Sequence, residues 1–201
     1  MKSFISLELR SLISGIAIFL TFYAYIPYIK GIWKGSIRPH VFSWIIWGAT
    51  TFIVFFAQIA GNGGVGSLPI GVSGIITILV AFIAYRKRGD IEITKSDWFF
   101  FCLALSSLPF WFYFSDPLAA VIVLSIADIF GFIPTFRKGY IHPNSEPLGF
   151  YLIFLFRNFL AMAGLAEWNM VTLLFPGSAG IACLVFVMMV KIRKSKFGII
   201  S

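Results

Sequence analysis

Seven apolar segments of about 20 residues follow one another along this chain of 201 residues, at 11–33, 41–61, 66–85, 97–115, 117–136, 147–166 and 170–190. A helix needs about 20 apolar residues to cross the hydrocarbon core of a bilayer. A segment within lipid also has to satisfy its backbone hydrogen bonds internally. No segment shows the alternating pattern of strands in a membrane β-barrel. The chain is therefore predicted to be an all-α membrane protein with seven transmembrane helices.

The composition agrees with a lipid bilayer as the main partner. Hydrophobic residues make up 59% of the chain and charged residues 12%, whereas soluble domains are about half apolar and about a quarter charged. The net charge of +8 invites a nucleic-acid interpretation. However, the basic residues occupy the short loops between apolar segments, where topology signals lie. Nucleic acid is therefore excluded as an expected partner.

The distribution of Lys and Arg predicts the orientation. If all seven segments cross the membrane, thirteen of the sixteen basic residues lie on one side, only Lys2 and Arg10 lie on the other, and Arg157 lies within the sixth segment. Basic residues concentrate on the cytoplasmic side of membrane proteins. This predicts an integral protein of a bacterial-type cytoplasmic (inner) membrane, with its N-terminus outside and its C-terminus in the cytoplasm.

One polar sequence pattern occurs twice, as "IPYIKGIWKGSIRPHVFSW" from Ile26 and as "IPTFRKGYIHPNSEPLGFY" from Ile133. Their first prolines, Pro27 and Pro134, are about 107 residues apart, and "GVSGI" recurs as "GSAGI" at almost the same offset. The first three segments therefore resemble the last three. We predict a first three-helix repeat at 1–89, a linker helix at 90–116 and a second repeat at 117–201. The chain crosses the membrane four times between the start of the first repeat and the start of the second, so both repeats start on the same side and are parallel. Transporters place solute sites at the interfaces of such repeats.

Three helices, a linker helix and three helices, with a proline toward the cytoplasmic end of the first helix of each triplet, resemble the PQ-loop/SWEET superfamily. Pro27-Tyr28 and Pro134-Thr135 occupy the places of that family's Pro-Gln pairs. The resemblance implies alternating-access transport of a small polar solute (a sugar, amino acid or vitamin precursor), proton-linked in some members. Because the second repeat carries charged residues within its spans, carboxylates are a further class of candidate solute. The alternative is a non-transporting receptor or accessory protein, because the superfamily includes a sorting receptor.

The paired prolines have two interpretations. A proline within a helix removes one backbone hydrogen bond and kinks the helix. Pro27 and Pro134, at equivalent depths, would then be hinges for the movement of the two repeats. Alternatively, they and the Lys-Gly pairs that follow simply end the helices and anchor them at the membrane surface.

Two ionisable residues, Asp128 and Arg157, lie near the middle of predicted spans. A charge at the bilayer centre costs at least ~2.5–3.5 kcal/mol, so such residues usually face the bundle interior or an aqueous path. Three interpretations stay open: Asp128 and Arg157 form a structural ion pair, Asp128 binds and releases a proton, or Arg157 holds an anionic group of the solute. At the repeat offset, Asp128 corresponds to Thr21 and Arg157 to Thr50.

Other candidate site residues are aromatic or polar side chains within the spans. Trp47 lies one turn deeper than Trp44, which suits an interfacial position, and Trp47 is therefore the better candidate for stacking on a solute. Asn158, Thr50 and Gln58 would orient the solute through hydrogen bonds. Close helix packing is predicted at the small residues of the recurring glycine motif, namely Gly71, Gly74, Gly177 and Gly180.

No metal, cofactor or enzymatic chemistry is expected. The two histidines, His40 and His142, are too few for a structural zinc site, and no glycine-rich loop suits a phosphate-bearing cofactor. No nucleophile with a neighbouring base stands out within the spans. The sequence therefore favours binding and movement of a solute over catalysis.

Overall fold

The computed structural model describes residues 6–87 and 116–196, together with Lys95, Trp98, Phe99, Cys102 and Ser106. Six α-helices are present there: α1 (Leu7–Trp33), α2 (Val41–Ala60), α3 (Leu68–Arg86), α4 (Pro117–Ile141), α5 (Leu148–Gly164) and α6 (Met170–Lys196). A short 3-10 helix (Gly64–Ser67) leads into α3, and the described residues contain no strand. The all-α prediction is confirmed. The predicted linker helix falls almost wholly outside the described residues.

Most of these helices are long and apolar enough to cross a bilayer. This holds for α1, α2, α4, α6 and the 3-10 helix together with α3, whereas α5 is apolar but has only 17 residues. Large apolar side chains also cover the outer surface: Phe19 is 65% exposed, Phe82 60% and Ile181 63%. Extensive exposed apolar surface marks contact with a membrane or a partner. The long apolar helices indicate an integral membrane protein.

The first helix of each predicted repeat continues past its proline. Pro27 lies inside α1, which ends at Trp33, and Pro134 lies inside α4, which ends at Ile141 instead of the predicted 136. Gly35, just after α1, has a φ of 74°, a left-handed conformation that glycine adopts at little cost. Neither proline ends its helix, and their role as hinges stays a prediction.

The described helices form two triplets with the same internal arrangement. In the first triplet (α1–α3), the third helix packs against both others, and in the second triplet (α4–α6) it does the same. Between the triplets, α1 packs against α5 and α4 packs against α2. The first helix of each triplet thus contacts the second helix of the other. The packing between the two triplets is therefore reciprocal.

The two triplets also run in the same direction. At one end, Lys138 Nζ near the end of α4 donates to the carbonyl of Arg38 in the α1–α2 loop. We call this the basic end. At the opposite end, the Ala166 amide after α5 donates to the Gly63 carbonyl after α2, at 2.9 Å. α1 and α4 therefore both end at the basic end.

The four glycines predicted at close helix packing have different surroundings in the two repeats. A Cβ at Gly71 would lie 2.8 Å from a ring carbon on α2, and one at Gly74 would lie 3.0 Å from the backbone of Phe52. For Gly177 and Gly180 the nearest atoms would be 3.8 and 3.7 Å away, which is ordinary van der Waals contact. Among the described residues, α6 therefore leaves room for a methyl group at Gly177 and Gly180, unlike α3 at Gly71 and Gly74.

This difference predicts unequal effects of adding one methyl group. Gly74→Ala is expected to cost about 1–3 kcal/mol of stability, because the Cβ presses on the rigid Phe52 backbone. Gly177→Ala is the matched control and should be neutral or slightly stabilising, since alanine favours a helix by up to about 1 kcal/mol over glycine. Thermal unfolding of both variants in detergent measures this. Equal effects would contradict the packing difference.

Candidate functional site

A cavity lies between the two triplets, with walls from all six described helices. About 60 Å³ is open to the centres of water-sized spheres, and one water needs only about 10–15 Å³ of this measure. The cavity therefore has room for several waters or a small solute. Its lining residues are Tyr25, Trp44, Trp47, Thr51, Ser73, Thr77, Asp128, Phe132, Phe150, Tyr151, Phe154, Arg157, Asn158, Phe175, Ala179 and Cys183.

The sequence repeat is visible in the cavity wall. Most lining residues have an equivalent lining residue about 106 or 107 positions away. These pairs are Tyr25 with Phe132, Trp44 with Tyr151, Trp47 with Phe154, Thr51 with Asn158, Ser73 with Ala179, and Thr77 with Cys183. The two triplets thus contribute equivalent positions to the wall of the cavity between them.

Asp128 presents a buried carboxylate to the cavity from α4. The residue is 3% exposed, and its Oδ1 accepts a hydrogen bond from the Thr50 hydroxyl at 3.0 Å. The indole Nε1 of Trp47 donates to the Asp128 backbone carbonyl at 3.3 Å, which fixes this part of α4 against α2. Thr50 does not line the cavity, but its hydrogen bond holds the carboxylate in position.

Arg157 of α5 is also buried at the cavity, and its hydrogen bonds link the two triplets. Its Nε donates to the Thr21 hydroxyl at 3.2 Å and its Nη2 to the Pro69 carbonyl, both in the first triplet. Nη1 donates to Asn158 Oδ1 at 2.8 Å. The guanidinium lies 5.4 Å from the ring centroid of Phe154. These contacts fix the guanidinium of Arg157 in place and use several of its N–H donors at once, as its planar shape allows.

Asp128 and Arg157 share the cavity but do not form the ion pair considered from the sequence. Among the described residues, no salt bridge within 4.0 Å joins them. Each instead bonds to the other's repeat equivalent: Thr21, equivalent to Asp128, bonds to Arg157, while Thr50, equivalent to Arg157, bonds to Asp128. The ion-pair interpretation is wrong for this structure, and the proton and anion interpretations stay predictions.

The remaining predicted site residues differ in position. Trp47 and Asn158 line the cavity. Gln58 does not; its Nε2 donates to the Thr172 carbonyl at 2.7 Å and joins α2 to α6 toward the opposite end. Sequence reasoning missed Tyr25, whose hydroxyl hydrogen-bonds with side chains of α3. Its position four residues after Thr21, hence on the same helix face, was the available signal.

A second polar group that sequence reasoning missed lies at the basic end. Glu146, in the α4–α5 loop, is only 5% exposed. Its Oε2 accepts hydrogen bonds from Tyr28 at 3.1 Å and Tyr151 at 3.2 Å, and its Oε1 pairs with Lys138 Nζ at 3.2 Å. We call these four residues the Glu146 cluster. Because Tyr28 belongs to the first triplet, the cluster joins the two triplets.

Aromatic rings connect the Glu146 cluster with the cavity wall, since Tyr28 belongs to the cluster and Trp44 and Phe150 line the cavity. The ring centroids of Tyr28 and Trp44 are 4.9 Å apart, and those of Tyr28 and Phe150 are 4.5 Å apart. All three residues are at most 7% exposed. Pairs of rings at these separations contribute about 0.5–1.5 kcal/mol each beyond their buried area. These rings pack the cavity wall on the side of the Glu146 cluster.

Burial also changes the acidity of Glu146. It raises the pKa of this carboxyl above its ordinary value, while Lys138 and the two tyrosine hydroxyls act in the opposite direction. Removal from water disfavours the charged form of a carboxyl. Glu146 therefore takes up a proton at a less acidic pH than an exposed glutamate does, and protonation removes its ion pair with Lys138.

Contacts between the triplets thus lie on both sides of the cavity. Toward the opposite end, Arg157 contributes its bonds to Thr21 and Pro69, and Asn169 Nδ2 donates to the Gly61 carbonyl at 3.0 Å. Toward the basic end stands the Glu146 cluster. The cavity between these contacts is lined by a carboxylate, a fixed guanidinium, hydroxyls and aromatic faces. Such a lining suits recognition of a small solute.

Comparison of the chain with protein-family models, with curated proteins and with solved structures finds no match. Among the described residues, no three His, Cys, Asp or Glu side chains lie together as metal ligands do.

Proposed function

We propose that this chain is a membrane transporter that moves a small polar solute by alternating access, with the basic end in the cytoplasm. One observation carries the proposal: a cavity with a buried carboxylate and a buried guanidinium lies between two equivalent triplets. Transporters built from repeats place their solute sites at such interfaces, near the middle of the bilayer. The proposal agrees with the resemblance to the PQ-loop/SWEET superfamily.

The ends of α3 and α4 support the proposed arrangement of two triplets and a linker helix. Lys87, just after α3, places its Nζ 4.3 Å from the ring centroid of Trp33, at the basic end. α4 ends at the basic end and therefore begins at the opposite one. The intervening chain connects the two ends of the bundle. A linker helix over 90–116, between repeats at 1–89 and 117–201, accounts for this connection.

In the proposed cycle, the contacts on the two sides of the cavity break alternately. Loss of the Glu146 cluster opens the basic end, and loss of the Arg157 contacts opens the opposite end. Pro27 and Pro134, inside α1 and α4 at repeat-equivalent positions, are the hinges. Asp128 is the proposed coupling residue, because a buried carboxylate without a cationic partner gains most from binding a proton or a solute.

The proposal is tested first by a binding screen and then by uptake. Purified protein in detergent is screened by thermal shift against sugars, amino acids, nucleosides, vitamin precursors and carboxylates at pH 5.5 and 7.5. A solute at 100 times its Kd stabilises the folded state by about 2.7 kcal/mol. Each stabilising solute is then offered to proteoliposomes, where we expect saturable uptake. Binding without uptake would favour a receptor.

Removal of the cavity carboxylate provides a sharper prediction. Asp128→Asn preserves the shape of the side chain and its bond with Thr50 but removes the charge. We expect uptake to fall on the order of tenfold or more, because about 1.4 kcal/mol of lost interaction changes a rate or affinity tenfold. Asp116→Asn is the matched control, since Asp116 caps α4 at Leu118, away from the cavity, and asparagine also caps well. Equal uptake by both variants would contradict the role of Asp128.

A further inference from the structure

The two repeat-equivalent contacts differ in one feature. Where α1 meets α5, the guanidinium of Arg157 lies over the ring of Phe154. Where α4 meets α2, Trp47 stands in place of Phe154, and Thr50 in place of Arg157. The second contact thus has a larger aromatic side chain but lacks the cation. It has a carboxylate instead, because Asp128 stands in place of Thr21.

The carboxylate of Asp128 is incompletely satisfied by the protein. Its Oδ1 accepts a hydrogen bond from the Thr50 hydroxyl. The Ile46 carbonyl lies 2.9 Å from the Thr50 hydroxyl oxygen and competes for the same hydrogen. Asp128 Oδ2 has no hydrogen-bond donor among the described residues, and no described Lys or Arg forms a salt bridge with it. Asp128 is 3% exposed and lines the cavity, so little water can solvate its charge. Hydrogen bonds to charged groups contribute about 1.5–3 kcal/mol, and a solute with a positive donor would supply such a bond.

Aromatic rings line the same cavity as this carboxylate. Phe132 follows Asp128 by one helical turn, and its ring centroid is 4.6 Å from that of Trp47. Trp44 stands beside Trp47 at 5.5 Å, roughly perpendicular to it. Aromatic faces attract cations, tryptophan most strongly, and several rings together recognise organic ammonium groups.

We infer that the solute of this cavity carries a small organic ammonium group. The positive group lies between Asp128 Oδ2 and the face of Trp47, in the environment that the Arg157 guanidinium has at the repeat-equivalent contact. As a statement about a transported solute, the inference rests on the proposed function. As a statement about binding, it depends only on the cavity.

The test compares choline with a neutral ligand of the same shape, and adds ethanolamine as a smaller ammonium ligand. Choline, ethanolamine and the neutral carbon analogue of choline, in which a tert-butyl group replaces trimethylammonium, are titrated onto purified protein in detergent. Trp44 and Trp47 line the cavity, so their fluorescence reports binding. We expect at least one of the two amines to bind, and choline or ethanolamine to exceed the neutral analogue in affinity at least about tenfold. Asp128→Asn should abolish this preference, and Asp116→Asn should preserve it.

Three results overturn the inference. They are absence of binding by both amines, binding of the neutral analogue as tight as that of the tighter-binding amine, and an unchanged preference in Asp128→Asn. These results differ from failure of the proposed function. Charge-dependent binding without uptake leaves the inference standing and contradicts transport. Asp128-dependent uptake of a neutral or anionic solute does the reverse.

Discussion

Replacement of Glu146 by Gln is expected to raise, on the order of tenfold, the rate at which a membrane-impermeant maleimide reaches Cys183 from the basic end. Glu146 joins Tyr28 of the first triplet to Tyr151 and Lys138 of the second. Glutamine keeps one oxygen acceptor but loses the ion pair. Hydrogen bonds to charged groups contribute about 1.5–3 kcal/mol, and 1.4 kcal/mol shifts an equilibrium tenfold. Opening of the basic end therefore becomes more frequent.

Cys183 is a suitable reporter because it is free, lines the cavity and is 3% exposed. The experiment uses a Cys102→Ser background, since Cys102 is the other free cysteine, and vesicles of both orientations. Glu146→Ala removes every bond of the carboxylate and should have a larger effect. Glu167→Gln, in the loop at the opposite end, is the charge-matched control and should leave the rate from the basic end unchanged.

Acidification should move the wild type toward the behaviour of the glutamine variant. Burial raises the pKa of Glu146, against the opposing effects of Lys138, Tyr28 and Tyr151. As the pH falls through this raised pKa, the carboxyl takes up a proton, the ion pair is lost and labelling from the basic end rises. Glu146→Gln should not show this rise. Unchanged labelling in both Glu146 variants, with the protein still folded, would show that the cluster is no barrier.

Much of the helical architecture could be predicted from the sequence, because lipid leaves few alternatives for long apolar segments. The segments that became α2, α3 and α5 were predicted to within about two residues at each end. The end of α4 lies five residues beyond the predicted one, since the Lys138-Gly139 pair predicts a helix end like that at Lys34-Gly35 after α1. Gly139 lies inside α4, and of these two glycines Gly35 alone has a positive φ.

The repeat offset predicted more about the site than the separate candidates did. It matched Asp128 with Thr21 and Arg157 with Thr50, which are the residues that bond crosswise in the structure. The sequence does not show that α1 packs against α5 and α4 against α2. Without that packing, equal depth made a direct ion pair the simplest expectation. Depth along a helix does not determine which neighbour a side chain faces.

Glu146 was missed for a different physical reason. Its surroundings, "HPNSEPLG", have the composition of a solvated loop, and nothing in the local sequence indicates burial. Its hydroxyl partners come from α1 and α5, which lie far apart along the chain. A long-range cluster of this kind has no local periodicity or spacing for sequence analysis to detect.

Replacement of Arg157 by Lys is expected to cost roughly 3 kcal/mol of stability and to open the cavity from the opposite end. Lysine keeps a positive charge at mid-depth, so the burial cost of ~2.5–3.5 kcal/mol remains. Its compact ammonium cannot reproduce the guanidinium's forked bonds to Thr21, Asn158 and Pro69 or its stacking on Phe154. Each lost charge-assisted bond is worth about 1.5–3 kcal/mol.

Arg157→Met separates charge from geometry, because it removes the burial cost together with the bonds. We expect the order of stability to be wild type, then Met, then Lys, measured by unfolding in detergent. Arg193→Lys is the matched control: Arg193 also lies over a ring and bonds to a carbonyl, both of Tyr140, but within the second triplet. A lysine variant as stable as the wild type would show that charge alone matters at position 157.

Labelling of Cys183 then distinguishes a gate from a structural support. In a transporter that opens alternately at its two ends, the Arg157 variants should react faster from the opposite end and the Glu146 variants faster from the basic end. If Arg157 and Glu146 only hold the fold together, weakening either contact loosens the whole bundle, and labelling rises from both ends in both sets of variants. Opposite responses of the two sets would therefore require two barriers that open independently around one cavity.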